Sequence, residues 1–324
     1  MEPLLQVQHL KIYYSTAYGV FKAIDDVSFT LKKEETFCLI GESGCGKSTT
    51  ALSIMRMLGD HARIVGGRIL LENVDLLQLG KKELKQIWGK KIFIIFQDPM
   101  TSLNPVMKIS NQIREVLIRK ENKPLRKREV MERGMELLKQ VDISDPKRVM
   151  DQFPHQLSGG MKQRVMIAMG VCLNPSLLIL DEPTTALDST IQFKIIELIR
   201  NLKTERKMSQ ILITHDFGVA AKLSDRIAVM YAGKIVEQGR YLVLLKEPVH
   251  PYTQGLFKSI VKPESKSAYL ETMPGTLPNL SQLPKGCYFE SRCKISKSIC
   301  REHEPPLRDL GNEHLVACHQ IDSE

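Results

Sequence analysis

The run Gly41-Glu42-Ser43-Gly44-Cys45-Gly46-Lys47-Ser48 has the residue types and spacing of a loop that cradles phosphates. Its glycines let the backbone wrap an anion, and successive N–H groups with the start of the next helix form a positive nest. In such a loop the lysine, here Lys47, reaches the β- and γ-phosphates of a nucleotide, and the hydroxyl of Ser48 ligates Mg2+. A second chemical element ends the apolar run Leu177-Leu178-Ile179-Leu180, where the chain continues as Asp181-Glu182. Two carboxylates at the C-terminal end of a buried strand sit where ligands bind in parallel sheets. Asp181 suits the outer shell of the Mg2+, and Glu182 suits a general base that polarises an attacking water. A third element, Leu157-Ser158-Gly159-Gly160-Met161, opens a helix: Ser158 is a good N-cap, and the glycines let an anion approach exposed N–H groups. Together these residues predict binding and hydrolysis of ATP.

The elements that must position them are legible as short apolar runs alternating with amphipathic stretches. Strands are expected at Phe37–Ile40, Ile92–Phe96, Leu177–Leu180, Gln210–Ile213 and Ile227–Tyr231. A helix is expected to begin near Lys47. Ile191, Ile195, Ile199 and Leu202 recur at helical spacing within Thr190–Leu202, as do Met161, Val165, Ala168 and Cys172 within Met161–Cys172. Strand–helix alternation implies a largely parallel sheet covered on both faces. Between about Asp98 and Cys172 strand signals vanish, which reads as a helical insertion broken at Lys123-Pro124 and Asp145-Pro146. After Gly239, eight prolines from Pro248 to Pro306 mark a loop-rich extension. Expected boundaries are therefore residues 1–255 for the nucleotide-binding domain, with its helical part at about 98–172, and 256–324 for the extension.

Bulk properties narrow the class. At 324 residues the chain suits one large domain with an accessory one, and 43% hydrophobic residues provide for a sizeable core. No apolar run approaches the ~18 residues that a membrane-spanning helix needs. Met1-Glu2-Pro3 lacks the basic-then-apolar pattern of an export signal, so a reducing, cytoplasmic setting is expected for the seven cysteines. The net charge of +9 sits largely in local runs, at Lys81–Lys91, Arg119–Arg133 and Lys258–Lys266. These read as solvated helix faces or a surface near anionic lipid headgroups, and no aromatic interleaving marks base stacking. Nucleic acid is not an expected partner.

With these motifs in place, the chain resembles the nucleotide-binding subunits of ABC transporters over nearly its whole length. The resemblance implies an α/β fold: a P-loop NTPase domain of the ABC type, with a mostly parallel sheet core plus an antiparallel β part, a helical subdomain insertion and a C-terminal loop-rich extension. Leu157–Gly160 looks like the family's signature motif, with Met161 where many members have Gln. The resemblance implies that Ser158, Gly159 and Gly160 contact the γ-phosphate held by a second subunit, so that two chains face head to tail around two ATP molecules. Ser43, Gly44, Cys45, Gly46, Lys47, Ser48 and Thr49 would hold the phosphates. Gln97 looks like the glutamine that links Mg2+ and the attacking water to the helical insertion. Asp188 resembles the aspartate that crosses the dimer interface, and His215 the histidine that contacts the γ-phosphate. Tyr14 is the candidate to stack on adenine, with Tyr13 as its competitor.

Other features resemble one branch, the ATPase subunits of peptide and nickel importers. They are Phe96–Pro105, the run Lys162–Ala168 behind the signature, His250-Pro251-Tyr252, Pro274-Gly275 and Gly286-Cys287. The branch implies a membrane-peripheral ATPase at the cytoplasmic face of the cell (inner) membrane. Its partners would be an identical or paralogous ATPase, two permease subunits and, indirectly, an extracytoplasmic binding protein. The alternative is a soluble ABC ATPase working on ribosomes or DNA; one phosphate loop and a modest helical insertion weigh against it. Four cysteines, Cys287, Cys293, Cys300 and Cys318, lie in the tail. In a reducing compartment they suggest a metal site, and spacing alone does not separate zinc from an iron–sulfur cluster. The resemblance implies a [4Fe–4S] cluster, although Lys294-Ile295-Ser296 departs from the proline-containing stretch common there. Cys38 and Cys172 read as buried small hydrophobes, and the Cys45 thiol is expected to make activity sensitive to alkylation.

Overall fold

Strands that are apolar at every position need cover on both faces, and those of this chain form the inner layers. A computed structural model describes residues 2–17, 19–98, 102–185, 187–258 and 273–322. Residues 99–101 of the Phe96–Pro105 segment, Ala186 beside Asp188, and residues 259–272 of the expected extension lie outside the described residues. In chain order the strands are β1 (Leu5–Thr16), β2 (Gly19–Leu31), β3 (Thr36–Ile40), β4 (Ala62–Leu71), β5 (Val74–Asp75), β6 (Ile92–Ile95), β7 (Leu177–Asp181), β8 (Ser209–Thr214), β9 (Arg226–Tyr231), β10 (Lys234–Arg240), β11 (Arg308–Asp309) and β12 (Leu315–Val316). Each of the five expected strands is present, within a residue or so of its expected ends. The chain divides into two compact units, residues 1–78 with 214–324 and residues 79–213.

In the first unit β3 pairs in parallel with β9, Ile40 opposite Val229, and all residues of both strands are buried. β9 turns antiparallel into β10, which pairs with β12, Glu237 opposite Val316. A separate antiparallel sheet has the order β2-β1-β4-β5. Its first strand escaped the sequence reading for a local reason. Leu5 and Val7 are buried, then Leu10 and Ile12, so the alternation slips by one. The slip falls at His9, whose φ of 48° lies in the left-handed region, and the pairing with both neighbouring strands shifts register there.

In the second unit β6, β7 and β8 are parallel, with Ile92 opposite Leu177 and Leu177 opposite Ser209. Between β6 and β7 the described residues are helical: Ile109–Glu121, Lys127–Gln140, Pro146–Asp151 and Gly159–Cys172. The last of these is not the one-sided helix its spacing suggested. Lys162, Gln163 and Arg164 are buried along with the apolar positions, and the Arg164 guanidinium donates to the Val141 carbonyl at 2.6 Å. A helix covered nearly all round loses the periodic contrast that marks a face.

One buried carboxylate organises the C-terminal part of the first unit. Glu237 of β10 has no exposed surface; it accepts from the backbone N–H of Val249 (2.9 Å) and His250 (3.0 Å) and from Nε2 of His314 (2.8 Å). Beside it, burial pushes the His250 imidazole down to about 3, so this ring is neutral at every physiological pH. Glu237→Ala would strand these donors in the interior and is expected to lower unfolding free energy by about 2–4 kcal/mol, read from the urea midpoint.

Candidate functional site

The phosphate loop leaves β3 at Gly41 and enters the helix Lys47–Ile54 at Gly46. Two glycines are required by space as well as by φ. A Cβ on Gly41 would stand 2.2 Å from the Met230 carbonyl oxygen, and one on Gly46 (φ 110°) 2.8 Å from that of Ala23. Gly46 caps the helix without a side chain, and no acidic residue occupies the first turn, so the helix start keeps its attraction for an anion. Ser43, Gly44 and Ser48 are exposed and Thr49 is half-buried. Lys47 is 5% exposed, and its ammonium donates to the carbonyls of Gly41 (2.8 Å) and Glu42 (2.9 Å). The lysine is thus seated against the loop it serves.

Cys45 departs from expectation. Its thiol is fully buried, 3.7 Å from the Lys47 ammonium, and burial raises its pKa. A thiol without access and with little thiolate is a poor target, so the expected sensitivity to alkylation at Cys45 has no basis in this geometry.

His215 follows β8 and is exposed; Asp216 caps the next helix, Phe217–Leu223, accepting from Gly218 N at 2.7 Å and Val219 N at 3.2 Å. With Gly41, Glu42 and Phe217, His215 lines an open cleft of about 360 Å³. Tyr14 lies on β1 between Phe21 and Ala62 of the flanking strands. The hydroxyl of its competitor Tyr13 donates to Asp25 at 3.4 Å.

The second unit carries the carboxylates. Asp181 ends β7 and is 6% exposed. Glu182 follows with φ 48°, and its N–H donates to the Ile213 carbonyl at 2.9 Å. A non-glycine residue in this region is strained, and such strain is commonly kept where a side chain must be aimed. Its Oε2 accepts from Gln97 Nε2 at 2.8 Å and from Thr185 Oγ1 at 2.9 Å. Gln97 and Glu182 are 85 positions apart in sequence, and the fold brings them into direct contact. Thr185 was not singled out from the sequence; its place three residues after the glutamate, at the end of a strand, was the available signal.

Ser158 caps the helix Gly159–Cys172, its hydroxyl accepting from Met161 N at 3.3 Å. A Cβ on Gly160 would stand 2.6 Å from Ile191 Cγ2, so this position is small for packing as well as for ligand approach. Asp188 caps its own helix, Ser189–Arg206, accepting from Thr190 N (3.1 Å) and Ile191 N (3.0 Å).

In the tail Cys300 is buried and Cys287, Cys293 and Cys318 are half-buried. Burial pushes the Cys287 thiol up to about 12, with Cys300, Cys318 and Cys293 close enough to add to the rise. The thiols are therefore neighbours. Among the described residues, however, no group of three or more His, Cys, Asp or Glu side chains is placed to hold a metal ion. The expected cluster thus finds its donor types gathered but not a formed donor set.

A family profile described as "ABC transporter" matches residues 24–185. The dipeptide transport ATP-binding protein DppD of Bacillus subtilis is 44% identical over 319 residues, 98% of this chain and 95% of that protein. The chain belongs to the ATP-binding subunits of ABC transporters. As a member it is an ATPase that couples hydrolysis to transport. A second profile, "Oligopeptide/dipeptide transporter, C-terminal region", matches residues 236–300. The oligopeptide transport ATP-binding protein OppD of B. subtilis is 47% identical, covering 97% of this chain and 87% of its own length. Among solved structures, the dimeric ABC transporter cassette MJ0796 is 28% identical with a TM-score of 0.66, covering 73% of this chain and 98% of that one. A post-hydrolysis dimer of the same cassette, bound to ADP and Pi, gives 27% and 0.66. The ABC-type α/β fold expected from sequence is the fold of this ABC subunit.

In chelator-treated, natively folded subunit, iodoacetamide is expected to modify Cys293 and Cys318 well before Cys38 and Cys45. Mass spectrometry of peptides quenched at timed intervals reads the order; early loss of Cys45 would mean that the phosphate loop opens.

Proposed function

We propose that this subunit energises uptake of oligopeptides or dipeptides, working on the cytoplasmic face of the membrane. One observation carries the reading: the ATPase core continues into the segment 236–300, matched as the C-terminal region of oligopeptide and dipeptide transporters. Relatives over nearly the full chain carry names of dipeptide and oligopeptide transport ATP-binding proteins, which sets aside the ribosome or DNA alternative. No helix among the described residues is long and apolar enough to cross a membrane, so the translocation path would belong to two permease partners. A second ATPase subunit, identical or paralogous, would complete each ATP site with Ser158, Gly159 and Gly160, Asp188 lying at the junction. An extracytoplasmic binding protein would select the cargo, with a nickel complex as the other cargo class of this branch.

Within the site, Glu182 serves as general base, taking a proton from the water that attacks the γ-phosphorus. The Gln97 and Thr185 bonds to one carboxylate oxygen fix its aim and leave proton acceptance to be directed by orientation. Lys47 and the N–H groups of residues 43–49 bind the phosphates, His215 meets the γ-phosphate, and Tyr14 stacks on adenine. The oxygen donors Ser48, Asp181 and Gln97 suit Mg2+, which when bound neutralises charge on the β- and γ-phosphates. For the tail we retain four-thiolate ligation of a [4Fe–4S] cluster by Cys287, Cys293, Cys300 and Cys318, with zinc as the alternative; its support is the donor chemistry alone.

Glu182→Gln is expected to keep ATP binding, lower hydrolysis by about 10²-fold or more and accumulate an ATP-bound dimer on size-exclusion chromatography. Hydrolysis at the parental rate would remove Glu182 from the role of base. Cells lacking the subunit should lose uptake of labelled di- or oligopeptides while keeping that of free amino acids. Anaerobically purified subunit should contain iron and acid-labile sulfide; zinc without sulfide would select the alternative.

A further inference from the structure

Glu42 stands inside the phosphate loop, yet its side chain is engaged by the far end of the chain. Its two carboxylate oxygens accept a forked pair from Arg292, Nη1 to Oε2 at 3.0 Å and Nη2 to Oε1 at 2.9 Å. Its backbone N–H donates to the hydroxyl oxygen of Tyr252 at 3.0 Å. Its carbonyl oxygen accepts from the Lys47 ammonium. One residue therefore joins the C-terminal region on one side to the phosphate-binding lysine on the other.

The holding groups are themselves immobilised. The Arg292 side chain is 5% exposed; its Nε donates to the Pro274 carbonyl at 2.9 Å, and its guanidinium lies over the Tyr231 and Phe289 rings at 5.7 and 5.9 Å. Tyr252 is fully buried, with its ring edge-on to Tyr231 at 4.7 Å. An arginine guanidinium stays charged in proteins, so the fork is an ion pair as well as a pair of hydrogen bonds. An exposed ion pair of this kind would contribute little. A forked pair whose arginine is buried and stacked couples its partners firmly.

We propose that the C-terminal region is a clamp on the phosphate loop, with Arg292 and Tyr252 as positioning residues that hold Glu42, and through its carbonyl Lys47, ready for the nucleotide. The inference rests on the reading that Gly41–Ser48 binds ATP. The clamp acts before the nucleotide arrives and equally on ground and transition states. Its loss therefore weakens binding and leaves the chemical step alone, because ATP must then order the loop itself.

The test is steady-state ATPase kinetics and equilibrium ATP binding on the full chain, for Arg292→Ala, Arg292→Lys, Glu42→Gln, Tyr252→Phe and the Arg292→Ala/Glu42→Gln pair. Arg292→Ala is expected to raise KM and Kd for ATP about tenfold, with kcat within about twofold of the parent. Arg292→Lys should recover part of the loss, and the double variant should bind no worse than Arg292→Ala alone. Should Arg292→Ala fail to fold, Tyr252→Phe, which keeps the ring and removes only the acceptor, must still raise KM. A fall in kcat at unchanged KM, tracking thermal stability, would reduce Arg292 to a structural staple and overturn the clamp. Unchanged KM in these variants, with ATP binding abolished by Lys47→Ala, would overturn the clamp while leaving the phosphate loop in place. ATP binding by Lys47→Ala at parental strength would instead overturn the phosphate-loop reading.

Discussion

Close backbone approach at the end of β3 is the constraint on which the nucleotide site depends. A Cβ at Gly41 would collide with the Met230 carbonyl oxygen on β9. β3 pairs with β9 up to its last residue, Ile40 opposite Val229, and the chain then leaves β3 through a residue without a side chain. Beyond Gly41 the chain must then form a loop of unusual backbone, with Gly44 at φ 83° and Gly46 at φ 110°. Holding such a loop in one conformation costs entropy. The cost is offset by the buried strands behind it, by the two carbonyl bonds of Lys47 and by the side chains that meet Glu42.

Two glutamates show how environment separates roles. Glu42 is bound at both oxygens by a guanidinium, which fixes the side chain as a strut. Glu182 is met at Oε2 by the neutral donors Gln97 and Thr185, which orient its side chain. The left-handed backbone of Glu182 adds a second orienting device.

The parts of this molecule that can be read from sequence are those set by neighbours along the chain. Leu177–Leu180 announces a buried strand because every position is apolar, and the phosphate loop announces itself because its glycines and lysine are contiguous. β1 stays hidden because the bulge at His9 breaks its alternation. The helix Gly159–Cys172 misleads because Lys162, Gln163 and Arg164 are buried, which their polarity does not foretell. Burial of Cys45 was equally invisible, since it arises from the fold of the loop upon itself. Arg292 carries no local mark at all, and its meaning comes entirely from a residue 250 positions earlier.

That separation also orders events in time. A ribosome delivers Glu42 first and its forked partner last, and at about 5–20 residues per second roughly 12–50 s pass between them. Throughout that interval a nascent chain owns a phosphate loop without its anchor. Under the clamp, full affinity for nucleotide waits on synthesis of the segment that carries Arg292.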